Sequence, residues 1–331
     1  MTRVVRFHET GGPDVLRIED IDLSAPGPGE VQIAVKAIGI NRAEAMFRAG
    51  AYLEAPALPA RLGYEAAGTI AALGPDLTGF AIGQRVSSVP GFSMNKYGAY
   101  GEVVNLPAWS IVAHPDNLSD IQAAAVWMQY LTAWGALIEI GKLAPGETVL
   151  ISAASSSVGL AAIQIANMIG ATPIALTRTS KKADALRAAG AAHVIATAEQ
   201  DLVAEVKALT AGKGARIAFD PVGGPTVGPL CEALCFGGML FQYGALSPDP
   251  TPLPLFTVLS KSLTVRGYTL FEFTQNPDAP ALRRGIDFVL KGLAAGKLSP
   301  VIAKTFAFED IAEAHRYMES NEQMGKIVVT V

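Results

Sequence analysis

Between residues 148 and 177 the chain carries no Asp, Glu, Lys or Arg. A charge-free stretch of that length is either a membrane-spanning helix or the buried strand, helix and strand at the heart of an α/β sheet. Its punctuation favours the second. Ser155, Ser156, Ser157, Gly159, Gly170 and Pro173 interrupt the run. They divide it into a strand, a tight polar turn, a helix beginning near Val158 and a second strand. No membrane span is expected. Strands buried on both faces read as continuous apolar runs, which is the form taken by a parallel sheet covered by helices.

The rhythm on either side of this run separates two domains, as a chain of 331 residues leads one to expect. Over 1–124, short apolar runs alternate with turn signals such as GGPD, PGPGE and LGPDLTG. That spacing predicts an antiparallel, mainly β, partly barrelled domain. Over 125–267, strands alternate with helical patterns, which predicts an α/β fold of Rossmann type with a doubly wound parallel sheet. Its strands are expected near 148–153, 173–177, 193–195, 216–219, 239–243 and 263–267. Helices are expected at 159–169, 181–189, 202–210, 225–234 and 255–260. Residues 268–331, with a helix at 280–295 and a closing strand at 326–331, are read as completing the first domain.

Composition narrows the function. The formal net charge is −4 and there is no basic run, so neither nucleic acid nor an anionic membrane is an expected partner. Two cysteines, Cys231 and Cys235, are too few for a disulfide framework, and the opening MTRVVRFHETGG lacks the apolar core of a signal peptide. A cytoplasmic protein acting on a small molecule is expected. The cysteines, four apart on an expected helix, read as core packing. His8, His114, His193 and His315 are scattered without paired spacing, so surface or turn positions are expected. The serine cluster is not embedded in GxSxG, which disfavours hydrolase chemistry.

The turn ISAASSSVG can hold a pyrophosphate. Free N–H groups and the helix dipole favour an anion there, and small side chains let the backbone approach it closely. Ser155, Ser156, Ser157, Val158 and Gly159 are the candidate contacts. The GxGxxG fingerprint is absent, so a serine-capped helix without a ligand is the competing reading. At the end of the next strand, where an NAD enzyme usually carries an acid for the ribose, the chain reads Thr177, Arg178, Thr179, Ser180, Lys181, Lys182. An acid there would repel a 2′-phosphate, whereas Arg178, Ser180 and Lys182 can bind one, so NADPH is preferred over NADH. Asp220, beside Pro221 and two glycines, is either an acid bordering the site or a simple turn acid.

Five short motifs then occur in a telling order: GINRAEAMFRAGAY at 39–52, LGYEAAGTI at 62–70, GFAIGQRV at 79–86, YLTAW at 130–134 and FDPVGG at 219–224. On these the chain resembles, over nearly its full length, the medium-chain dehydrogenase/reductase superfamily. In its zinc alcohol dehydrogenases a cysteine and a histidine hold zinc where this chain has Asn41 and Tyr64, and a four-cysteine structural zinc lobe is impossible here. Asn41 and Tyr52 instead match the zinc-free quinone oxidoreductases. The family's paired glycines in the phosphate turn are replaced by Ser156 and Ser157.

The resemblance implies a GroES-like catalytic domain ahead of the NADP-binding domain and a homodimer paired through the strand at 263–267. Asn41, Tyr52 and Thr132 are implied near the nicotinamide, Arg178 and Lys182 near the 2′-phosphate, and Gly244 near the middle of the cofactor. The implied reaction is zinc-independent hydride transfer from NADPH to a quinone or similar conjugated carbonyl, in a pocket shaped by loops such as 90–98 and 269–280. Asn41, Tyr52 or a water would stabilise the developing oxygen charge. Tyr52 is either the proton source or a pocket-lining aromatic. Reduction of 2-alkenals or enoyl thioesters and noncatalytic NADPH binding are the alternatives.

Overall fold

The computed structural model describes residues 1–276 and 280–331. The chain folds as two compact units: Met1–Met128 with Phe273–Leu282 and Pro300–Val331, and Gln129–Glu272 with Arg283–Ser299. Of the loop at 269–280, residues 277–279 lie outside the described residues. Among the described residues no helix is long and apolar enough to cross a membrane.

The second unit is built on a six-stranded sheet of Thr148–Ile151, Thr172–Thr177, His193–Ala196, Ala215–Asp220, Leu234–Gln242 and Thr264–Gly267. All neighbours are parallel, and the spatial order counted along the chain is 3-2-1-4-5-6. This is the doubly wound arrangement expected, and its order reverses between the first and fourth strands. The charge-free run supplies the first two strands and the helix Ser157–Ile169 between them. Leu150, Ile174, Leu176, Ala218 and Leu240 lie in one buried cluster with Val206, Leu230 and Cys231 from the covering helices.

Two local expectations are corrected. The fifth strand begins at Leu234 rather than 239, because Leu234 already pairs with Ala215 ahead of a register shift. The helix before it therefore stops at Ala233, and Cys235 lies on the strand while the buried Cys231 stays on the helix Val227–Ala233. The two thiols share no helix face. Residues 283–299, expected with the first domain, pack in the second unit. The reason is close helix packing: a Cβ on Gly285 would lie 2.7 Å from the Trp134 ring, and one on Gly292 would lie 3.2 Å from the Met168 sulfur.

The first unit is mostly β. The eleven-residue strand Glu30–Ile40 is its spine, paired antiparallel with Glu65–Leu73, Val103–Pro107 and Lys326–Thr330. Burial along the spine alternates up to Val35 and becomes continuous from Ala37 to Ile40. The sheet is thus half-solvated at one end and enclosed at the other. At the enclosed end a Cβ on Gly39 would collide with the Ala124 carbonyl, so glycine is what lets the spine pass that backbone. The chain leaves the spine through Asn41 into the helix Arg42–Arg48, a helix the apolar rhythm did not reveal.

Candidate functional site

In the second unit the carboxyl ends of the strands bring the expected cofactor residues to one edge. After Ile151 the backbone of the turn is tied to both flanking strands: Ser152 N–H donates to the Phe219 carbonyl at 3.1 Å and Ala154 N–H to that of Leu176 at 3.2 Å. Ala153 takes φ 45°, left-handed and unusual for a residue with a Cβ. The reversal lets the helix start immediately. Ser156 caps it, its Oγ accepting from Gly159 N–H at 3.0 Å, and the helix runs from Ser157. A Cβ on Gly159 would lie 2.6 Å from the Ala154 carbonyl oxygen and 2.8 Å from that of Ala153. The glycine thus draws the helix start against the turn, leaving the first-turn N–H groups of Ser157 and Val158 at the edge.

Lys182 reaches back to this turn, its Nζ donating to Ser155 Oγ at 3.3 Å, so the end of the second strand and the phosphate turn are joined by a cation. Arg178 and Ser180 are exposed and Thr177 is half-buried. Gly244 approaches the neighbouring strand end so closely that a Cβ would lie 2.7 Å from the Pro221 carbonyl oxygen. Thr132 is buried on the helix Trp127–Trp134. Asp220 is fully buried: Oδ2 accepts from Gly223 N–H at 2.7 Å, the bond of a turn acid, while Oδ1 has no hydrogen-bond partner among the described residues. Burial, with the Asp220 charge beside it, holds the Tyr243 phenol well above its ordinary range.

The edge fits a dinucleotide on two counts: a helix start brought against its turn by Gly159, and cations at the second strand end where an acid would stand.

In the first unit Asn41 is the hub of a buried polar cluster that the sequence did not reveal. The Lys326 ammonium donates to Asn41 Oδ1 and to Glu65 Oε2, and all three side chains are buried. Asn41 Nδ2 donates to Glu44 Oε1 and Glu65 Oε2 at 3.1 Å each, and to the Gly39 carbonyl at 3.3 Å. Glu65 Oε1 accepts from Met128 N–H at 2.9 Å, and Glu44 Oε1 also accepts from Tyr64 N–H at 3.2 Å. Both ends of the Asn41 amide are therefore engaged within the unit, with Lys326 fixing which end is the oxygen.

One ammonium faces two carboxylates in this enclosed space. Glu44 is the less solvated acid, since its Oε2 has no partner among the described residues. Burial pushes its carboxyl up to about 7 against the opposing pull of Lys326 and the Asn41 hydrogen bond. Tyr52 lies half-buried beside Tyr64, ring centroids 6.5 Å apart. Burial pushes its phenol up to about 12, partly offset by its interaction with Tyr64, so at neutral pH it keeps its proton.

The histidines correct a further expectation. His8 and His193 are exposed, but His114 and His315 are buried. His315 Nδ1 faces Arg48 at 2.8 Å, and Arg48 also donates to Glu319 and to the Gly11 carbonyl. Burial first, then Arg48 and Arg42, pushes His315 down to about 3.

Comparison with known proteins agrees with this geometry. Residues 27–116 match the alcohol dehydrogenase GroES-like domain, and residues 157–287 match the zinc-binding dehydrogenase family. A quinone oxidoreductase of Pseudomonas aeruginosa is 32% identical, covering 99% of both chains, and a 2-haloacrylate reductase of a Burkholderia species is 31% identical with the same coverage. The structure of the Escherichia coli quinone oxidoreductase complexed with NADPH superposes with a TM-score of 0.90 at 30% identity, covering 99% of this chain and 100% of the other. The chain belongs to the medium-chain dehydrogenase/reductase superfamily, in its quinone oxidoreductase branch. It is an oxidoreductase.

The Glu44 carboxyl makes the stability of this oxidoreductase depend on pH. Between its ordinary value and about 7, the folded state holds a proton that the unfolded chain has released, so this contribution is full at acid pH and is lost as pH rises through 7. Glu44→Gln keeps the acceptor for Asn41 and Tyr64 and removes the titration. Urea unfolding at pH 5 and at pH 8 should show the variant gaining on the wild type by up to about 3 kcal/mol over that range. A constant difference would mean that Glu44 ionises as an ordinary acid.

Proposed function

We propose that this oxidoreductase uses NADPH, needs no zinc, and reduces a quinone or a similar conjugated carbonyl. The observation that carries the cofactor choice is the second strand end: Thr177 is followed by Arg178, with Lys182 reaching back to Ser155. No ion pair joins Arg178 to an acid among the described residues, so its guanidinium is available to a 2′-phosphate. The N–H groups at the start of the helix Ser157–Ile169 bind the pyrophosphate, with the Ser155, Ser156 and Ser157 hydroxyls beside them. A bound dihydronicotinamide supplies the hydride. The chain's own part in the chemistry is to hold a protonated Tyr52, whose hydroxyl donates to the oxygen on which charge develops. Asn41, spent on Glu44, Glu65 and Lys326, keeps the enclosed end of the spine in place. Thr132 and Gly244 are assigned to the nicotinamide half and the middle of the cofactor.

The zinc-free reading rests on Asn41 and Tyr64, which stand where the zinc dehydrogenases of the superfamily carry a cysteine and a histidine. Elemental analysis of the purified enzyme should find no stoichiometric zinc; one zinc per chain required for activity would sink it. The 2-haloacrylate reductase relative favours a second reading, hydride delivery to the β-carbon of a conjugated acid, enal or enone. NADPH oxidation measured over quinones, enones, enals and 2-haloacrylates separates the two, and no oxidation with any of them would leave a noncatalytic NADPH-binding protein.

A homodimer is proposed through the edge strand Thr264–Gly267, which among the described residues is paired on one side only. Phe256 is 87% exposed, Phe236 76%, Leu259 65% and Leu255 57%, an apolar surface around an open edge. A second copy can pair with such an edge across a twofold axis and cover both. Sedimentation should give twice the mass of the chain, and Val265→Lys with Phe256→Glu should halve it; a wild-type monomer at micromolar concentration refutes the proposal.

Cofactor choice is tested at Arg178. Arg178→Ala should weaken NADPH binding by about ten- to a hundredfold and leave NADH binding nearly unchanged, as read by titrating nicotinamide fluorescence. Equal losses for both cofactors would show that Arg178 does not read the phosphate.

A further inference from the structure

The strand end that reads Thr177, Arg178, Thr179, Ser180 lacks an acid of its own, but the fold brings one to it. Pairing with the neighbouring parallel strand His193–Ala196 continues past both strand ends: Thr197 N–H donates to the Thr177 carbonyl at 2.8 Å and Ala198 N–H to the Arg178 carbonyl at 3.0 Å. This sets residues 197–199 alongside 177–180. The turn is then pinned, with Glu199 and Gln200 N–H both bonded to the Ala196 carbonyl and Gln200 Oε1 accepting from Ala196 N–H at 2.9 Å. From that position Glu199 Oε1 accepts from Ser180 N–H at 3.0 Å.

We propose that Glu199 is a specificity-determining residue of the dinucleotide site, a carboxylate that competes with the 2′-phosphate for the Ser180 N–H and limits the preference for NADPH. The proposal rests on the reading that Arg178 and Lys182 receive that phosphate. Glu199 acts in two ways. It occupies a backbone donor in the same turn as Arg178, so a phosphate oxygen that uses this donor must displace it. It also sets a negative charge beside the basic turn, which costs the doubly charged phosphate more than it costs the uncharged ribose hydroxyls of NADH. A plainer role accompanies these: the carboxylate satisfies the Ser180 N–H, which opens the 3-10 turn Ser180–Lys182. The contact therefore persists in the free protein, and it is relinquished when the phosphate binds.

Two variants separate charge from capping. Glu199→Gln keeps an oxygen acceptor for Ser180 and removes the charge; Glu199→Ala removes both. The dissociation constants of NADPH and NADH are measured for each variant and the wild type at low and high ionic strength. Glu199→Gln should tighten NADPH by about three- to tenfold and leave NADH unchanged, with the gain shrinking as salt is raised. Glu199→Ala should tighten NADPH at least as much, because it also frees the N–H. NADPH binding that is unchanged or weaker in Glu199→Gln, or an equal gain for both cofactors, overturns the proposal. A wild type that prefers NADH refutes the assignment of NADPH but not the role of Glu199, which is judged only by the direction in which its removal moves the ratio.

Discussion

The first unit depends on a single buried ammonium. Lys326 holds Asn41 and Glu65 together, and through them the end of the spine strand, the start of the helix Arg42–Arg48 and the N–H of Met128. A buried charge is tolerated only when it is paired and its remaining hydrogen bonds are met, and removing one partner of such a pair costs about 3–5 kcal/mol. Here Lys326, Asn41 and Glu65 are hydrogen-bonded to one another, and the excess acid falls on Glu44, whose carboxyl burial pushes up to about 7. The enclosed end of the spine is thus filled by a covalently tethered cation and its acceptors.

The second unit follows a different constraint. The first two strands and the helix between them lie at the covered centre of its sheet and carry no charge, and the polar work is done at the strand ends. Those ends are crowded with backbone. Ala153 in a left-handed conformation, Gly159 against the preceding carbonyls and Gly244 against Pro221 all bring main chain close to main chain. Serines in place of the family's paired glycines are accommodated because Ser156 takes the capping position, where its hydroxyl satisfies Gly159 N–H.

The doubly wound sheet was legible because its signals are local: the charge-free run, its serine and glycine punctuation and the alternation of strand and helix are all read within a few dozen residues. The serine-rich turn and the basic strand end are legible as local patterns for the same reason. What escaped is non-local. Glu44 and Glu65 look like ordinary acids beside apolar residues, and Lys326 resembles a solvated strand terminus. Only folding shows that all three face one another. Glu199 escaped for a related cause: it lies 19 residues past Ser180 in the chain and meets it only through pairing of neighbouring strands. His315 could have been suspected from its place in AEAHRYME, three residues from buried Met318 on a helix, but its partner Arg48 is 267 positions away. The start of the fifth strand was not legible because Gly237 and Gly238 interrupt its apolar run, whereas Gly237 sits at φ 69° within a strand that continues.

The distance along the chain between Lys326 and its partners bears on synthesis. A ribosome delivers Glu65 261 residues before Lys326, and Asn41 285 before it. Throughout that interval the spine strand also lacks its neighbour Lys326–Thr330, leaving one edge open and two acids without their cation. The nascent first unit therefore cannot close its enclosed end, while the six strands of the second are all available by Gly267. Order of completion is reversed relative to order of translation. A chain ending between Ser299 and Lys326 would leave a finished second unit attached to a first unit with uncompensated acid in its interior, a state that quality control can recognise by its exposed strand edge.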